Sequence, residues 1–374
     1  MSGGLEARLY FTESICYIFI LPFYINKVQQ ENIIRQWEQY YQDRNVPTET
    51  REVFMAYVRR LVSRNVPIIF DGEHLSMLLG IKYSFLKKIV YDTSCFYHSF
   101  LIPKHSGGKR EISAPCNPMK HIQRWISVNI LRNVALLENA HAFRKNRSIL
   151  TNIKPHLQQN YLLKIDLKDF FPSIKIEYVV RVFLEIGYTK EVSYYLGRLC
   201  CKDGCLPQGA PTSPMLCNIV SRYMDSRLSR LAAKNECVYT RYADDIAISG
   251  SHISEPFVKL VEKIIQSCGF EINKDKEHLY GPHGKKILTG ISLATGVPKL
   301  PKSYKRKLRQ ELYYIETFGI DEHLERTDKH SPYYMKSIIG KLNYWHFVEP
   351  DNQQAIMALV RLQSQYMSRL RDNP

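Results

Sequence analysis

Three carboxylates border apolar segments of this sequence, where a negative charge is unfavourable unless something neutralises it. Asp244 and Asp245 are adjacent and separate two apolar stretches, and Asp166 ends the apolar segment LLKID. A divalent cation removes most of the cost of burying neighbouring negative charges. Magnesium takes carboxylate oxygens together with substrate phosphates. We therefore expect Asp166 and Asp244 to bridge two ions about 3.5–4 Å apart, with Asp245 supporting them, in nucleotidyl transfer.

Each of these patterns also has a simpler interpretation. An Asp-Asp pair between strands is common in an ordinary turn. Asp169, three residues after Asp166, fits the N-cap of the next helix better than a metal ligand. The segment LPQGAPTSP at 206–214 is a rigid loop that could shape a nucleotide pocket or simply lead into a helix.

Short strands and helices must position these residues. The pattern predicts a strand at 161–166, two strands with a polar tip at 238–250, and a hairpin with a glycine turn at 100–114. Further strands are predicted at 285–295, and helices at 28–64, 74–91, 118–137, 215–234, 254–268 and from Lys299 onward. This order favours an α+β fold with helices packed around an antiparallel sheet.

The ordered motifs resemble those of reverse transcriptases. Residues 161–174 (YLLKIDLKDFFPSI), 206–214 (LPQGAPTSP) and 241–249 (RYADDIAIS) match that family's motifs in type, order and spacing. The resemblance covers roughly residues 66–350 and implies a right-hand polymerase fold. Its expected parts are an N-terminal helical extension at 1–65, fingers at 66–160, an antiparallel-sheet palm at 161–298, and a basic helical thumb at 299–374.

The resemblance also implies roles for single residues. It makes Asp166, Asp244 and Asp245 the catalytic ligands of two Mg²⁺ ions and adds Leu167 to the metal site. Phe171 falls where a bulky ring would clash with a 2′-OH, which favours deoxynucleotides, although a core aromatic residue is the alternative.

Further nucleotide contacts follow from the same resemblance. Gln208 would contact the incoming nucleotide and template, unless it is a turn-stabilising amide. Lys104 and Arg110, in a hairpin that resembles the family's fingers, would hold the triphosphate, unless they are solvated hairpin charges. Lys276 would approach the nucleotide, and the segment Leu288-Thr289-Gly290 would be the primer grip.

Several features resemble the bacterial retron group of this family. In SILTNIKPH at 148–156, Asn152 and His156 match a retron motif, with Ile153 in place of its Ala. Leu288 stands where retron enzymes have Val. The resemblance implies RNA binding by Asn152 and His156, although His156 could be a satisfied loop histidine. A basic segment would follow an RNA phosphate backbone; its residues are Lys299, Lys302, Lys305, Arg306, Lys307 and Arg309.

Composition agrees with a nucleic-acid partner. The chain has 52 Lys and Arg against 36 Asp and Glu, a formal net charge of +16. Its nine cysteines lack zinc-site spacing, so we interpret Cys200, Cys201 and Cys205 as small core residues. The apolar run at 15–25 is too short to span a bilayer. We expect a soluble, cytoplasmic protein without a membrane partner.

The resemblance implies a retron reverse transcriptase. Such an enzyme copies part of its cognate structured noncoding RNA into branched DNA, uses dNTPs, and primes from an RNA 2′-OH. The implied setting is antiphage defence with a separate effector protein. Two alternatives stay open: another bacterial defence or diversity-generating reverse transcriptase, and a catalytically silent nucleic-acid-binding scaffold.

Overall fold

The computed structural model describes residues 26–103, 107–326 and 333–372. The chain forms two compact units that alternate along the sequence. The first contains the described residues up to 145, with 167–228 and 260–273, and the second contains 146–166, 229–259 and the described residues from 274 onward. These two units do not correspond to the four consecutive parts expected from the sequence. The division into extension, fingers, palm and thumb therefore stays a prediction.

The described residues contain both helices and short strands. In chain order the helices are α1 (Lys27–Asp43), α2 (Thr48–Val62), α3 (Gly72–Leu78), α4 (Tyr83–Tyr91), α5 (Asn117–Asn129), α6 (Ile149–Ile153), α7 (Phe170–Ser173), α8 (Ile176–Ile186), α9 (Lys190–Cys200), α10 (Ser213–Val220), α11 (Arg222–Lys234), α12 (Glu255–Ser267), α13 (Lys302–Phe318), α14 (Ile320–Arg326), α15 (Tyr334–Val348) and α16 (Gln353–Asp372). The strands are β1 (Tyr97–Pro103), β2 (Lys109–Pro115), β3 (Tyr161–Asp166), β4 (Val238–Tyr242), β5 (Asp245–Gly250), β6 (His278–Tyr280), β7 (Ile287–Leu288) and β8 (Ile291–Ser292).

The first unit is mainly helical and carries the β1–β2 hairpin. These two strands pair in antiparallel register from Tyr97 opposite Pro115 to Pro103 opposite Lys109. Cys200 and Cys201, at the end of α9, are buried, as the sequence predicted for small core residues. The single helix predicted over 215–234 is interrupted, because Ser221 between α10 and α11 has a ψ of −6°.

The second unit contains a four-stranded antiparallel sheet in the order β4-β5-β3-β6. Strand β3 pairs with β5 on one side and with β6 on the other. A hydrophobic core joins this sheet to the C-terminal helices through Leu162, Ala247, Leu288, Leu342 and Trp345. The sheet is thereby packed against the C-terminal helices through β3 and β5.

None of the helices within the described ranges combines the length and the apolar character that a membrane crossing requires.

Candidate active site

The three aspartates of the sequence motifs meet at one end of the second unit's sheet. Asp166 is the last residue of β3 and lies directly opposite Asp245, the first residue of β5. Directly paired residues in an antiparallel ladder present their side chains on the same face, about 4.5–5.5 Å apart at Cβ. Asp244 occupies the two-residue turn between β4 and β5. The expected hairpin with a carboxylate tip is therefore confirmed.

The environment of these carboxylates disfavours negative charge. Burial raises the pKa of Asp244, and repulsion from Asp245 and Asp166 adds to this rise. Burial also raises the pKa of Asp245, against the opposing effect of Lys164. Such a group of neighbouring, poorly solvated carboxylates gains stability from any cation that reaches it.

Two lysines neutralise part of this charge in the protein alone. Lys276 donates from Nζ to both carboxylate oxygens of Asp166, at 3.0 and 3.1 Å. Lys164 lies 3.5 Å from Asp245, measured from Nζ to Oδ1. Lys276 was predicted to approach the active site and bind the nucleotide, and the structure places it against the Asp166 carboxylate.

The donor chemistry fits magnesium. Within the described ranges, no three His, Cys, Asp or Glu side chains are grouped closely enough to enclose an ion by themselves. Magnesium rarely needs such a cage, because it commonly binds one or two carboxylates plus substrate phosphates. Asp166, Asp244 and Asp245 supply hard oxygen ligands for this arrangement. Leu167 has no side-chain oxygen, so its carbonyl oxygen is the group it could contribute.

Phe171, the expected sugar-contacting residue, lies in the first unit. Its half-buried ring contacts Phe170 at a centroid distance of 5.7 Å and Phe143 at 6.4 Å. Phe143 is 47% exposed and has a positive φ of 61°. The sequence motifs did not point to Phe143, because its relation to Phe171 arises only in the fold.

The loop with Gln208 packs against the β1–β2 hairpin. Ser113 of β2 donates its backbone N–H to the Gln208 carbonyl at 2.8 Å. The next residue, Gly209, has a φ of +125°, and a Cβ there would lie 2.9 Å from the Ser113 carbonyl oxygen. Arg110 is exposed on the same hairpin, and Lys104 lies outside the described residues.

Substituting Gly209 should therefore damage this loop. We expect Gly209→Ala to lower the free energy of unfolding by about 2–3 kcal/mol, because it adds both backbone strain and steric overlap. Thermal unfolding followed by circular dichroism measures the effect. Gly204→Ala is the matched control, since Gly204 also has a positive φ but no atom lies within 4 Å of its added Cβ. Equal losses of stability in the two variants would contradict the close approach of Gly209 to the Ser113 carbonyl.

The expected primer-grip residues form a tight turn in the second unit. Leu288 pairs with Ile291, which leaves Thr289 and Gly290 as the two turn residues. Their φ values are +46° and +80°, the pattern of a type I′ hairpin turn. A β-branched residue with positive φ is a conformational outlier. Such strain often marks a functional position. The primer-grip role of these residues stays a prediction.

Asn152 and His156 are placed differently from the expected RNA contact. Each side chain is only 1% exposed. The His156 ring lies 2.6 Å from the Ser249 hydroxyl through Nδ1 and 2.7 Å from the Thr240 hydroxyl through Nε2. His156 therefore joins the segment after α6 to strands β4 and β5, and its polar atoms face the protein interior. The alternative of a satisfied histidine agrees with this geometry.

Removing the His156 ring should act on stability. We expect His156→Ala to lower the free energy of unfolding by about 2–4 kcal/mol, because it leaves a cavity and removes one hydrogen-bond partner from each of two buried hydroxyls. Calorimetry of the purified protein measures this loss. RNA affinity, determined well below the unfolding temperature, should stay within about twofold of the wild-type value. Unchanged stability together with a loss of RNA affinity would instead support a direct contact between His156 and RNA.

The basic segment at 299–309 divides into two sets. Lys299, Lys302, Arg306 and Lys307 are exposed. Lys305 instead pairs with Glu349 at 2.9 Å. Arg309 is exposed as well, but it donates to Gln354 and lies over the Trp345 ring, 5.2 Å from its centroid. Lys305 and Arg309, two of the predicted RNA contacts, thus already contact residues of the C-terminal helices.

The chain is similar in sequence to a known protein family and to several of its members. The family model described as "Reverse transcriptase (RNA-dependent DNA polymerase)" matches residues 102–292. The retron Ec86 reverse transcriptase of Escherichia coli is 31% identical over 261 residues, which are 68% of this chain and 81% of that protein. The retron Mx65 reverse transcriptase of Myxococcus xanthus is 34% identical over 278 residues, which cover 68% of this chain and 65% of that protein.

Among solved structures, this chain is similar to the foamy viral protease-reverse transcriptase in complex with dsDNA. It has 20% sequence identity and a TM-score of 0.36, and the match covers 66% of this chain and 42% of that one.

The family match contains both aspartate motifs, and the antiparallel sheet that carries them confirms the expected α+β fold class. The chain therefore belongs to the reverse transcriptases, the RNA-directed DNA polymerases, and within them to the retron group.

Proposed function

We propose that this enzyme copies part of its own structured noncoding RNA into a branched single-stranded DNA, with a 2′-OH of that RNA as the primer. The observation that supports this most is the meeting of Asp166, Asp244 and Asp245 at one sheet end in a chain whose relatives are retron reverse transcriptases. Antiphage defence with a separately encoded effector is the proposed setting. It rests on the resemblance alone.

The proposed chemistry assigns separate tasks to the residues. Asp166, Asp244 and Asp245, with the Leu167 carbonyl, would hold two Mg²⁺ ions. When bound, these ions help to deprotonate the attacking hydroxyl and stabilise the leaving pyrophosphate. Lys276 neutralises Asp166 until metal and nucleotide arrive, and is then free to contact phosphate. Arg110, Lys104 and Gln208 would hold the nucleotide.

The test uses material purified from cells that carry the native locus. Nucleic acid bound to the wild-type protein and to Asp245→Asn is extracted and sequenced after separate RNase and debranching treatments. We expect a short DNA with a 2′–5′ branch from the wild-type protein alone. DNA without a branch would overturn the proposed priming and favour another type of reverse transcriptase. RNA alone in both samples would favour a silent scaffold.

The exposed basic residues should govern RNA affinity. We expect Lys302→Gln, Arg306→Gln and Lys307→Gln each to reduce the slope of log K against log [salt] by about 0.7–0.9, because each removes one phosphate contact. Fluorescence anisotropy with the cognate RNA at several salt concentrations measures this slope. Lys305→Gln is the matched control and should lower stability instead, since Lys305 pairs with Glu349. An unchanged slope in the three variants of exposed residues would contradict this assignment.

A further inference from the structure

The turn that carries Asp244 has an unfavourable backbone conformation. Tyr242 pairs with Asp245, so Ala243 and Asp244 form a two-residue turn. Ala243 has a φ of +57°. Hairpin turns with a positive φ at the first position usually have glycine there, because a Cβ disfavours this region. Another contact must therefore help to hold Ala243 in place.

Arg241 supplies such a contact. Its side chain is fully buried at the end of β4, and its Nη1 donates to the Ala243 carbonyl oxygen at 3.1 Å. A guanidinium is a planar group with donors in a fixed arrangement. When it is packed inside the protein, it can fix the direction of the carbonyl that it binds.

The same peptide group also carries Asp244. The Ala243 carbonyl, the Asp244 N–H and the Asp244 Cα belong to one planar peptide unit. The orientation of this plane therefore sets the position from which the Asp244 side chain leaves the turn. The orientation of a single peptide plane thus links the Arg241 guanidinium to the Asp244 carboxylate.

We propose that Arg241 is a positioning residue that orients the Asp244 carboxylate for metal binding by holding the Ala243–Asp244 peptide plane. The inference rests on the proposed function in one respect, since it takes Asp244 as a metal ligand. Arg241 itself touches neither metal nor nucleotide in this assignment.

The first experiment measures metal binding and polymerisation separately. In Arg241→Met, which removes the donor, and Arg241→Lys, which keeps the charge without the planar fork, we expect Mn²⁺ to bind about tenfold more weakly. The EPR signal of free Mn²⁺ measures this in the presence of template–primer. The Mg²⁺ concentration for half-maximal DNA synthesis should rise similarly, with an unchanged KM for template–primer. Wild-type Mn²⁺ affinity in either folded variant would overturn the proposal.

A rescue variant distinguishes positioning from packing. Glycine adopts a positive φ without the Cβ penalty. Ala243→Gly combined with Arg241→Met should therefore bind Mn²⁺ at least threefold more tightly than Arg241→Met alone. A purely structural role predicts no rescue, and that result would also overturn the proposal.

A distant arginine provides the matched control. Arg198 donates to the Val90 and Tyr91 carbonyls at the end of α4. Arg198→Met should lower the unfolding temperature and leave Mn²⁺ affinity unchanged. If the wild-type protein makes no DNA on an RNA template, the proposed function fails. If it makes DNA and Arg241→Met binds Mn²⁺ normally, only the Arg241 inference fails.

Discussion

Replacing Asp245 with asparagine should abolish RNA-templated DNA synthesis. We expect a loss of about 10³-fold or more, because a metal ligand contributes several kcal/mol to the stabilisation of transition-state charge and each 1.36 kcal/mol is a factor of ten in rate. RNA affinity should stay within about twofold of the wild-type value, since the exposed basic residues lie outside this sheet end. Primer extension with a defined RNA template and filter binding measure the two properties.

Asp169→Asn is the matched control for this substitution. Asp169 lies in the same motif as Asp166, has a φ of +45°, and makes no side-chain capping bond. Asparagine tolerates a positive φ, so this variant should keep polymerase activity. Substantial activity in Asp245→Asn, or an equal loss in Asp169→Asn, would contradict the metal assignment.

Asp245→Asn should also stabilise the metal-free protein. Because burial raises the pKa of Asp245, its ionised form is disfavoured in the folded state at neutral pH. Asp245→Asn should therefore unfold at a temperature about 1–2 °C above that of the wild-type protein at pH 7 in EDTA. The difference should shrink as the pH falls, because the wild-type carboxyl then gains a proton. A lower unfolding temperature for the variant would contradict this reading.

Replacing Phe171 with alanine should relax the choice of sugar. We expect discrimination against ribonucleotides to fall by roughly 10–200-fold, the range for a steric contact of about 1–3 kcal/mol. The ring is supported by Phe170 and Phe143, so its position is defined on two sides. The ratio of kcat/KM for matched dNTP and rNTP pairs measures the discrimination.

Two further variants sharpen this test. Phe171→Tyr keeps the bulk of the ring and should keep the discrimination. Phe143→Ala removes one of its two supports and should weaken discrimination less than Phe171→Ala. Unchanged selectivity in Phe171→Ala would show that this ring is a core aromatic residue and does not contact the sugar.

The meeting of the three carboxylates and the strands that hold them could be predicted from the sequence. Apolar runs of strand length end at Asp166 and resume after Asp245, and the family motifs fix their order. The β1–β2 hairpin was also predictable, because Gly107 and Gly108 interrupt two short segments of strand-forming residues.

Contacts between distant residues could not be predicted in this way. The pairing of Lys305 with Glu349 and the placement of Phe143 beside Phe171 join segments far apart in the chain. His156 illustrates the same limit, because its two hydroxyl partners lie on strands 84 and 93 residues later. A motif identifies such a residue, but burial decides whether it faces RNA or the interior.

The strand order of the four-stranded sheet also determines when the enzyme can become active during its synthesis. Strand β3 emerges from the ribosome before either of its neighbours, and Lys276 follows Asp166 by 110 residues. Closing such long loops is entropically unfavourable and slows folding. A nascent chain that stops before β5 lacks the pairing of Asp166 with Asp245. Translation must therefore pass this strand before the chain can begin to copy the RNA that it binds.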